Sequence, residues 1–348
     1  MCANHDRIIL RIQRTIINAS MNAQALAVNQ SFPKNLRPFD IRKDLLPVAD
    51  LVELCFADSL DADGRLYIRQ MRQAAHGGPL LELAAAGNRD LPLGGFVWQE
   101  DQRVVGNLSL IPHFYNSERL YLIANVAVHP DHRRRGIARS LTQAALEHIE
   151  SRPQRETWLQ VDEDNPAAVN LYRSMGFREQ VRRTSWRARP QRALAVSAKV
   201  ELTLRHRVPS DWSTQKAWLL NNYPAEVRWQ LPLDFKLLQP GLKGGLQRLF
   251  SERQVLQWSV EGSNGILGVL SWQSSTLEND RLWLASEPGM EDEAIPILAQ
   301  HVHANLQTSR PLALNYPAGR AQKVLMNSGF QAVRTLVWMD YPWEDHAH

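Results

Sequence analysis

Three consecutive arginines, Arg133, Arg134 and Arg135, precede Gly136 at the point where an apolar run gives way to an amphipathic pattern. A helix N-terminus presents unpaired backbone N–H groups and about half a positive charge, so it attracts anions. Cations at that end oppose the helix dipole, and an anionic ligand in the turn would account for them. Gly136 and the small Ala138 would let backbone amides approach such a ligand closely. A solvated run of surface arginines is the alternative interpretation.

The elements around this turn favour the ligand interpretation. Residues 119–128 form a nearly continuous apolar run that ends before Pro130, which is typical of a strand buried on both faces. After the turn, Leu141, Ala145 and Ile149 recur at helical spacing and predict a helix over about residues 138–151. The Gly-x4-Gly-Lys-Ser/Thr spacing of a Walker loop is absent from this stretch.

A second segment carries polar groups on a short helix, reading NPAAVNLYRSMGF over residues 165–177. Asn165 can cap the helix, Pro166 suits its first position, and Gly176 can end it. Tyr172 belongs to an apolar stripe on this helix. Its ring can pack in the core while its hydroxyl lies at the edge of a cleft.

The segment VAVHPDHRRRGIARSL, residues 126–141, resembles the acetyl-CoA signature of the GCN5-related N-acetyltransferase (GNAT) family. That signature is a strand ending in Val-x-Val-x-Pro, then Arg/Gln-x-x-Gly-x-Gly/Ala, then a helix. The resemblance covers roughly residues 36–188, and residues 165–177 are similar to the second family signature. It implies an α/β fold with a mixed central sheet flanked by helices.

The resemblance also implies roles for particular residues. Backbone groups of Val126, Ala127 and Val128 would pair with the pantetheine arm of acetyl-CoA, and Asn165 would contact the same arm. Tyr172 would line the cofactor site and protonate the departing thiolate. The pyrophosphate would be held by the turn and the start of the helix, which comprise Arg133, Arg134, Arg135, Gly136, Ile137, Ala138, Arg139 and Ser140.

A general base is harder to identify. Some relatives carry a glutamate in the strand before the Val-x-Val segment, and the aligned position here is about Leu122, which cannot take a proton. Glu118 is the candidate that we assign to catalysis, with His113 as an alternative acting through water. Each can equally be an ordinary surface group.

The chain length predicts two domains. Residues 168–177 and 321–330 match under a constant offset, which indicates a duplicated unit. We expect a flexible tail over residues 1–35, a first GNAT-like domain over 36–190, a linker over 191–199 and a second copy over 200–343. The second copy lacks the Arg-x-x-Gly-x-Ala pattern, has acidic residues at the matching helix start and carries Leu325 at the position of Tyr172. It is therefore expected to be degenerate.

Composition narrows the function classes. The net charge of +4 is small for 348 residues, and together with the acidic residues between the arginines it argues against a nucleic-acid partner. Cys2 and Cys55 are the only cysteines, so a reducing cytoplasm is expected, and neither a membrane span nor a metal site is predicted. The expected function is transfer of an acetyl group from acetyl-CoA to a primary amine of a small molecule, peptide or protein. A non-catalytic acyl-CoA-binding sensor or scaffold is the alternative, and the oligomeric state stays open.

Overall fold

The fold is described from a computed structural model. The residues it describes are 32–57, 60, 62–76, 94–115, 118–189, 202–231, 233–241, 244, 253–275, 279–306, 308 and 310–343. They form two compact units. The first unit is drawn from residues 1–160, 170–178 and 339–348, and the second from residues 161–169 and 179–338.

The first unit is built on a mixed sheet with strands in the spatial order β1-β2-β3-β4-β5. Neighbouring strands are antiparallel except for β4 and β5, which are parallel. The strands are β1 Leu36–Pro38, β2 Gly95–Glu100, β3 Arg103–Tyr115, β4 Glu118–Val128 and β5 Thr157–Asp162. The helices are α1 Ile41–Phe56, α2 Ala62–Ala75, α3 Ile137–Glu150 and α4 Pro166–Ser174, of which α4 is shared between the units. This architecture confirms the predicted fold class.

Local signals place most of these elements within a few residues of their predicted bounds. Asp40 caps α1 by accepting from the Arg42 N–H at 3.0 Å, so that helix begins at Ile41. The β2–β3 hairpin turns at Asp101 and Gln102, both with positive φ. Helix α2 was not predicted.

The second unit has strands in the order β12-β6-β11-β10-β9-β8-β7. The strands are β6 Arg178–Ala188, β7 Thr203–His206, β8 Val255–Gly262, β9 Gly265–Gln273, β10 Asp280–Ser286, β11 Leu312–Pro317 and β12 Gln331–Asp340. The helices are α5 Trp212–Asn222, α6 Ala225–Arg228, α7 Phe235–Leu238, α8 Glu291–Asn305 and α9 Gln322–Asn327.

Strand β6 follows α4 along the chain but belongs to the second unit, where it pairs antiparallel with β11, Trp186 opposite Leu314. The compact units therefore do not divide at the predicted linker. The domain boundaries drawn from the sequence remain a prediction about the repeat. Most of the expected tail and all of the expected linker lie outside the described residues.

One glycine in each unit allows a helix to pack directly on the sheet. A Cβ on Gly106 of β3 would lie 2.8 Å from Ile137 and 3.2 Å from Leu141 of α3. A Cβ on Gly268 of β9 would lie 2.8 Å from the Ala294 Cβ of α8. The matching close approach in both units supports the duplication that the sequence indicated.

Candidate functional site

Strands β4 and β5 pair over only part of their length. Their parallel ladder runs from Tyr121 opposite Thr157 to Ile123 opposite Leu159. Beyond that point β4 continues for five residues, to Val128, without a ladder partner on β5 among the described residues. We call this end of β4, residues 124–128, the mouth. It offers main-chain N–H and C=O groups to a ligand that can bind as an extra strand.

A β-bulge shapes the mouth. Asn107 and Ser109 of β3 lie opposite Ala127 and Ala124, so β4 carries one extra residue there, and Asn125 has a φ of +50°. Such a bulge leaves its extra residue unpaired and re-aims the neighbouring main chain. Its position lies where the sequence predicted a straight strand.

Side chains from β3 and α2 hold this bulge in place. The Asn125 Nδ2 donates to the Tyr67 hydroxyl at 3.0 Å and to Ser109 Oγ at 3.3 Å. The Asn107 Nδ2 donates to the Asn125 carbonyl at 2.9 Å, and Asn107 is fully buried. These bonds offset the strain of a non-glycine residue at positive φ. The sequence analysis missed them because the partners are far apart along the chain.

The turn after the mouth has an unusual backbone. Arg134 has a φ of +62° and Gly136, the N-cap of α3, has a φ of +77°. Left-handed residues in a turn of this kind aim successive backbone N–H groups to one side, which makes an anion-binding concavity. No atom of the described residues lies within 4 Å of the position that a Gly136 Cβ would take, so on their side the backbone is open to a ligand. This geometry fits the pyrophosphate site that the sequence predicts over residues 133–140. We call the part of it from Arg134 to Ala138 the cradle.

The three arginines have different partners. Arg133 Nε donates to the Val128 carbonyl at 3.2 Å. Arg135 forms a two-pronged ion pair with Glu100 of β2, at 2.9 and 3.0 Å. The exposed Arg134 side chain has no hydrogen bond or ion pair with any described residue. The arginines are therefore not an equivalent triplet, and Arg134 is the one whose charge is left to a ligand.

Glu100 is a functional candidate that the sequence analysis did not identify. Its carboxylate accepts from Trp98 Nε1 at 3.0 Å and lies 3.0 Å from His132 Nδ1, besides holding Arg135. The hydrogen bond from Trp98, with the Arg135 guanidinium and His132, lowers the pKa of Glu100. An ionised Glu100 fixes the turn to β2. No local pattern marks it, because it lies 35 residues before Arg135.

Tyr172 is buried on α4, and its ring packs edge-on against Phe177, with ring centroids 5.8 Å apart. Burial raises the pKa of the Tyr172 phenol, so the group stays protonated at neutral pH. Two residues later Ser174 accepts from the Arg139 guanidinium at 2.6 Å, which joins the end of α4 to the start of α3. The structure thus brings the Tyr172 helix beside the cradle.

Asn165 is the helix cap that the sequence predicted, since its Oδ1 accepts from the Ala168 N–H at 3.1 Å, and its contact with the cofactor arm stays a prediction. Glu118 is placed away from the site. Glu118 lies at the hairpin end of β4, opposite Tyr115. It is eight residues before Val126, which is about 26 Å in a strand. The structure does not bring Glu118 to the mouth, because that glutamate begins the strand that the mouth ends.

The second unit has a parallel ladder of the same extent, but one of its own side chains binds the main chain beyond the ladder. Strands β10 and β11 pair from Asp280 opposite Leu312 to Leu282 opposite Leu314, and their described ladder stops there. The buried Asn222 at the end of α5 donates through Nδ2 to the Leu284 carbonyl at 3.1 Å. The chain's own side chain thus takes the main-chain acceptor that corresponds to the mouth.

An internal carboxylate occupies the turn of the second unit. Glu291 opens α8, and its Oε2 accepts from the Gly289 N–H at 2.8 Å. Its Oε1 accepts from Arg320 Nε at 2.6 Å, and Arg320 also donates to Asn222 Oδ1 at 2.8 Å. A negative charge already lies where a phosphate would bind, which agrees with the degenerate second copy expected from the sequence.

In the described part of the chain, no three His, Cys, Asp or Glu side chains come close enough together to hold a metal ion. None of the helices described in the structure combines the length and apolar character needed to span a bilayer.

Comparisons with known proteins agree with this site. A family model described as the acetyltransferase (GNAT) family matches residues 63–177, which include the mouth, the cradle and Tyr172. The chain is 32% identical over 110 residues to the [ribosomal protein bS18]-alanine N-acetyltransferase of Salmonella typhimurium and covers 72% of that protein and 32% of itself. It is 27% identical over 179 residues to a mycothiol acetyltransferase of Kocuria rhizophila, covering 54% of that protein and 49% of itself.

The fold resembles those of solved structures over nearly the whole chain. The GCN5-related N-acetyltransferase of Sphaerobacter thermophilus has a TM-score of 0.53 and 15% identity, and the alignment covers 89% of this chain and 96% of that protein. At this identity the likeness concerns the fold, and it extends across both units.

Proposed function

The chain belongs to the GNAT family of acetyltransferases, and from that premise we propose that it transfers an acetyl group from acetyl-CoA to a primary amine. The acceptor would be a small molecule, a peptide or a protein. One observation carries the proposal: in the first unit, a strand end that the described residues of β5 do not pair leads into a turn with open, left-handed backbone at Arg134 and Gly136. The strand end suits a pantetheine arm, and the turn that follows it suits a pyrophosphate.

Successive residues along the chain bind successive parts of acetyl-CoA. The mouth pairs with the pantetheine arm through the main chain of Val126 and Val128. The N–H groups of the cradle, from Arg134 to Ala138, and the free charge of Arg134 hold the pyrophosphate. Bound in this way, acetyl-CoA supplies an activated thioester carbonyl at the bulge.

The chemistry then needs three further contributions. The amine must arrive neutral so that its lone pair can attack the thioester carbon. The oxyanion that develops needs a donor, and the main-chain N–H beside the bulge, near Val126, takes that role. Carbon–sulfur cleavage releases a thiolate, which takes a proton from the Tyr172 phenol. The raised pKa of Tyr172 means that the phenol enters this step protonated, and the phenolate regains its proton from solvent after the transfer.

We assign no side chain of this protein as the base that removes the amine proton. Leu122 is buried at the position where some relatives carry a glutamate, and Glu118 lies at the other end of β4. The proton therefore leaves through water. The rate constant kcat/KM should then rise with pH until the amine itself is deprotonated.

The test is a titration followed by a screen. Calorimetry of the purified chain with acetyl-CoA should show saturable binding. An amine library should then contain amines that increase CoA release and gain 42 Da by mass spectrometry. Peptides beginning with alanine and compounds related to mycothiol are sensible members, after the two relatives. The absence of acetyl-CoA binding would refute the proposal, while binding without any acetylated product would leave a carrier or sensor.

A further inference from the structure

The carbonyl of Val128 is already engaged by two side chains. Arg133 Nε donates to it at 3.2 Å and the Cys55 thiol donates to it at 3.3 Å. Val128 is the last residue of β4 and belongs to the mouth. A carbonyl oxygen has two lone pairs, so these two donors use its capacity.

We propose that Arg133 makes the site selective for thioesters that carry phosphate groups, because it must leave the Val128 carbonyl when a pantetheine arm binds. This inference depends on the proposed function, in which the arm pairs with the main chain of β4. An amide N–H of the arm would compete with Arg133 for the same oxygen. The displaced guanidinium lies at the entrance of the cradle, where a phosphate can accept its hydrogen bonds.

Arg133 is suited to such an exchange and Arg135 is not. The Arg135 guanidinium is held by both oxygens of Glu100, so its release would break a two-pronged ion pair. Arg133 is exposed, and among the described residues it has no carboxylate partner. Its hydrogen bond to the neutral Val128 carbonyl is weak enough for a ligand amide to replace it. The bond is still strong enough that its loss changes the Kd of a ligand measurably.

Cys55, which precedes Val128 by 73 residues in the chain, donates to the same carbonyl. The thiol is half-buried at the end of α1, where it packs beside the core of the first unit. Burial raises the pKa of Cys55, and the adjacent Arg133 guanidinium opposes that rise. The thiol therefore remains a protonated donor, and it has no charge with which to bind a phosphate.

The exchange has opposite consequences for two ligands. With acetyl-CoA, Arg133 loses one hydrogen bond to a carbonyl and gains charge-assisted bonds to phosphate oxygens. With acetyl-pantetheine, which lacks phosphate, the bond is lost without replacement. Removing the Arg133 side chain should therefore weaken the first complex and strengthen the second. A simple electrostatic role for Arg133 predicts only the weakening.

The experiment measures the Kd of both ligands by calorimetry for the wild-type chain, Arg133→Ala and the matched control Arg134→Ala. For Arg133→Ala we expect acetyl-CoA to bind about 10-fold weaker and acetyl-pantetheine about 3-fold tighter, the sizes of one charge-assisted and one ordinary hydrogen bond. For Arg134→Ala we expect weaker acetyl-CoA binding and unchanged acetyl-pantetheine binding. Cys55→Ala should tighten both complexes, because it frees the carbonyl without removing a phosphate partner.

The outcomes are distinct. The inference is overturned if Arg133→Ala binds acetyl-pantetheine with the same affinity as the wild type or a lower one. It is also overturned if neither protein binds acetyl-pantetheine at concentrations up to 10-fold above those at which acetyl-CoA saturates the wild type. Wild-type protein that does not bind acetyl-CoA refutes the proposed function itself. Equal thermal unfolding midpoints for the arginine variants, both of which change exposed side chains, confirm that folding is intact.

Discussion

The Tyr172 side chain has both a packing role and a chemical one. Its ring is buried against Phe177, as the apolar stripe on α4 predicted. The same burial raises the pKa of the phenol, since the charged phenolate is poorly solvated there. Tyr172 can therefore act as a proton donor at neutral pH, and it cannot act as a base.

Replacement of Tyr172 with phenylalanine tests that donor role at the residue scale. Tyr172→Phe keeps the ring and removes the proton, so we expect kcat to fall about 10²- to 10⁴-fold, the usual contribution of general acid catalysis. The Kd of acetyl-CoA should change less than 2-fold, since the binding groups are main-chain amides and arginines. Steady-state kinetics and calorimetry check the two quantities.

The control for this variant is Tyr115→Phe, at the hairpin end of β3, far along the sheet from the mouth. It removes a hydroxyl of the same kind without touching the site. An unchanged kcat in Tyr172→Phe would exclude Tyr172 from the mechanism. A large loss of acetyl-CoA affinity would indicate a binding role instead.

At the scale of elements, the cradle depends on how closely α3 approaches the sheet. Gly106 permits that approach, because any side chain there would meet Ile137, the first residue of α3. The first turn of α3 carries the backbone amides that the phosphate needs. The position of one strand glycine therefore sets the position of the binding site.

Two matched substitutions test this coupling. Gly106→Ala and Gly268→Ala each place a methyl group 2.8 Å from a helix side chain, and each should lower the free energy of unfolding by about 1–3 kcal/mol through overpacking. Only Gly106→Ala should also weaken acetyl-CoA binding, because only α3 carries the cradle. Thermal unfolding and calorimetry measure the two effects. Equal acetyl-CoA affinity in both variants would show that the cradle tolerates a shift of α3.

At the scale of the whole molecule, the two units share a ladder geometry and differ in what fills it. In the first unit the strand end beyond the ladder leads into an open turn. In the second unit Asn222 takes the Leu284 carbonyl and Glu291 takes the turn. Val269 stands on β9 at the place that Asn107 holds on β3, one residue after the glycine, so the amide that supports the bulge in the first unit has an apolar counterpart in the second.

This asymmetry predicts the stoichiometry. Calorimetric titration with acetyl-CoA should give one site per chain, because a second ligand would have to displace a buried amide and an internal carboxylate. Arg134→Ala should weaken that single site. Two sites of similar affinity would contradict the assignment of the second unit as degenerate.

Much of the fold and part of the site could be predicted from the sequence. The cap at Asn165, the glycine at the start of α3, the apolar run of β4 and the repeated glycine-ended helix all depend on contacts between residues close together in the chain. Such local contacts leave a readable pattern of residue types. The bounds of β4 and α3 therefore agree with the structure to within one residue.

The tertiary structure alone decided which of those residues can act. Glu100 holds Arg135 across 35 residues, Cys55 reaches Val128 across 73, and Asn222 closes a carbonyl 62 residues away. Strand β6 joins the second unit although it follows α4 in the chain. Contacts of this length depend on which strands become neighbours, and no local spacing records that choice. The sequence by itself determined where an anion can bind, and the folded chain decided that Glu100 holds Arg135 while Arg133 and Arg134 have no carboxylate partner among the described residues.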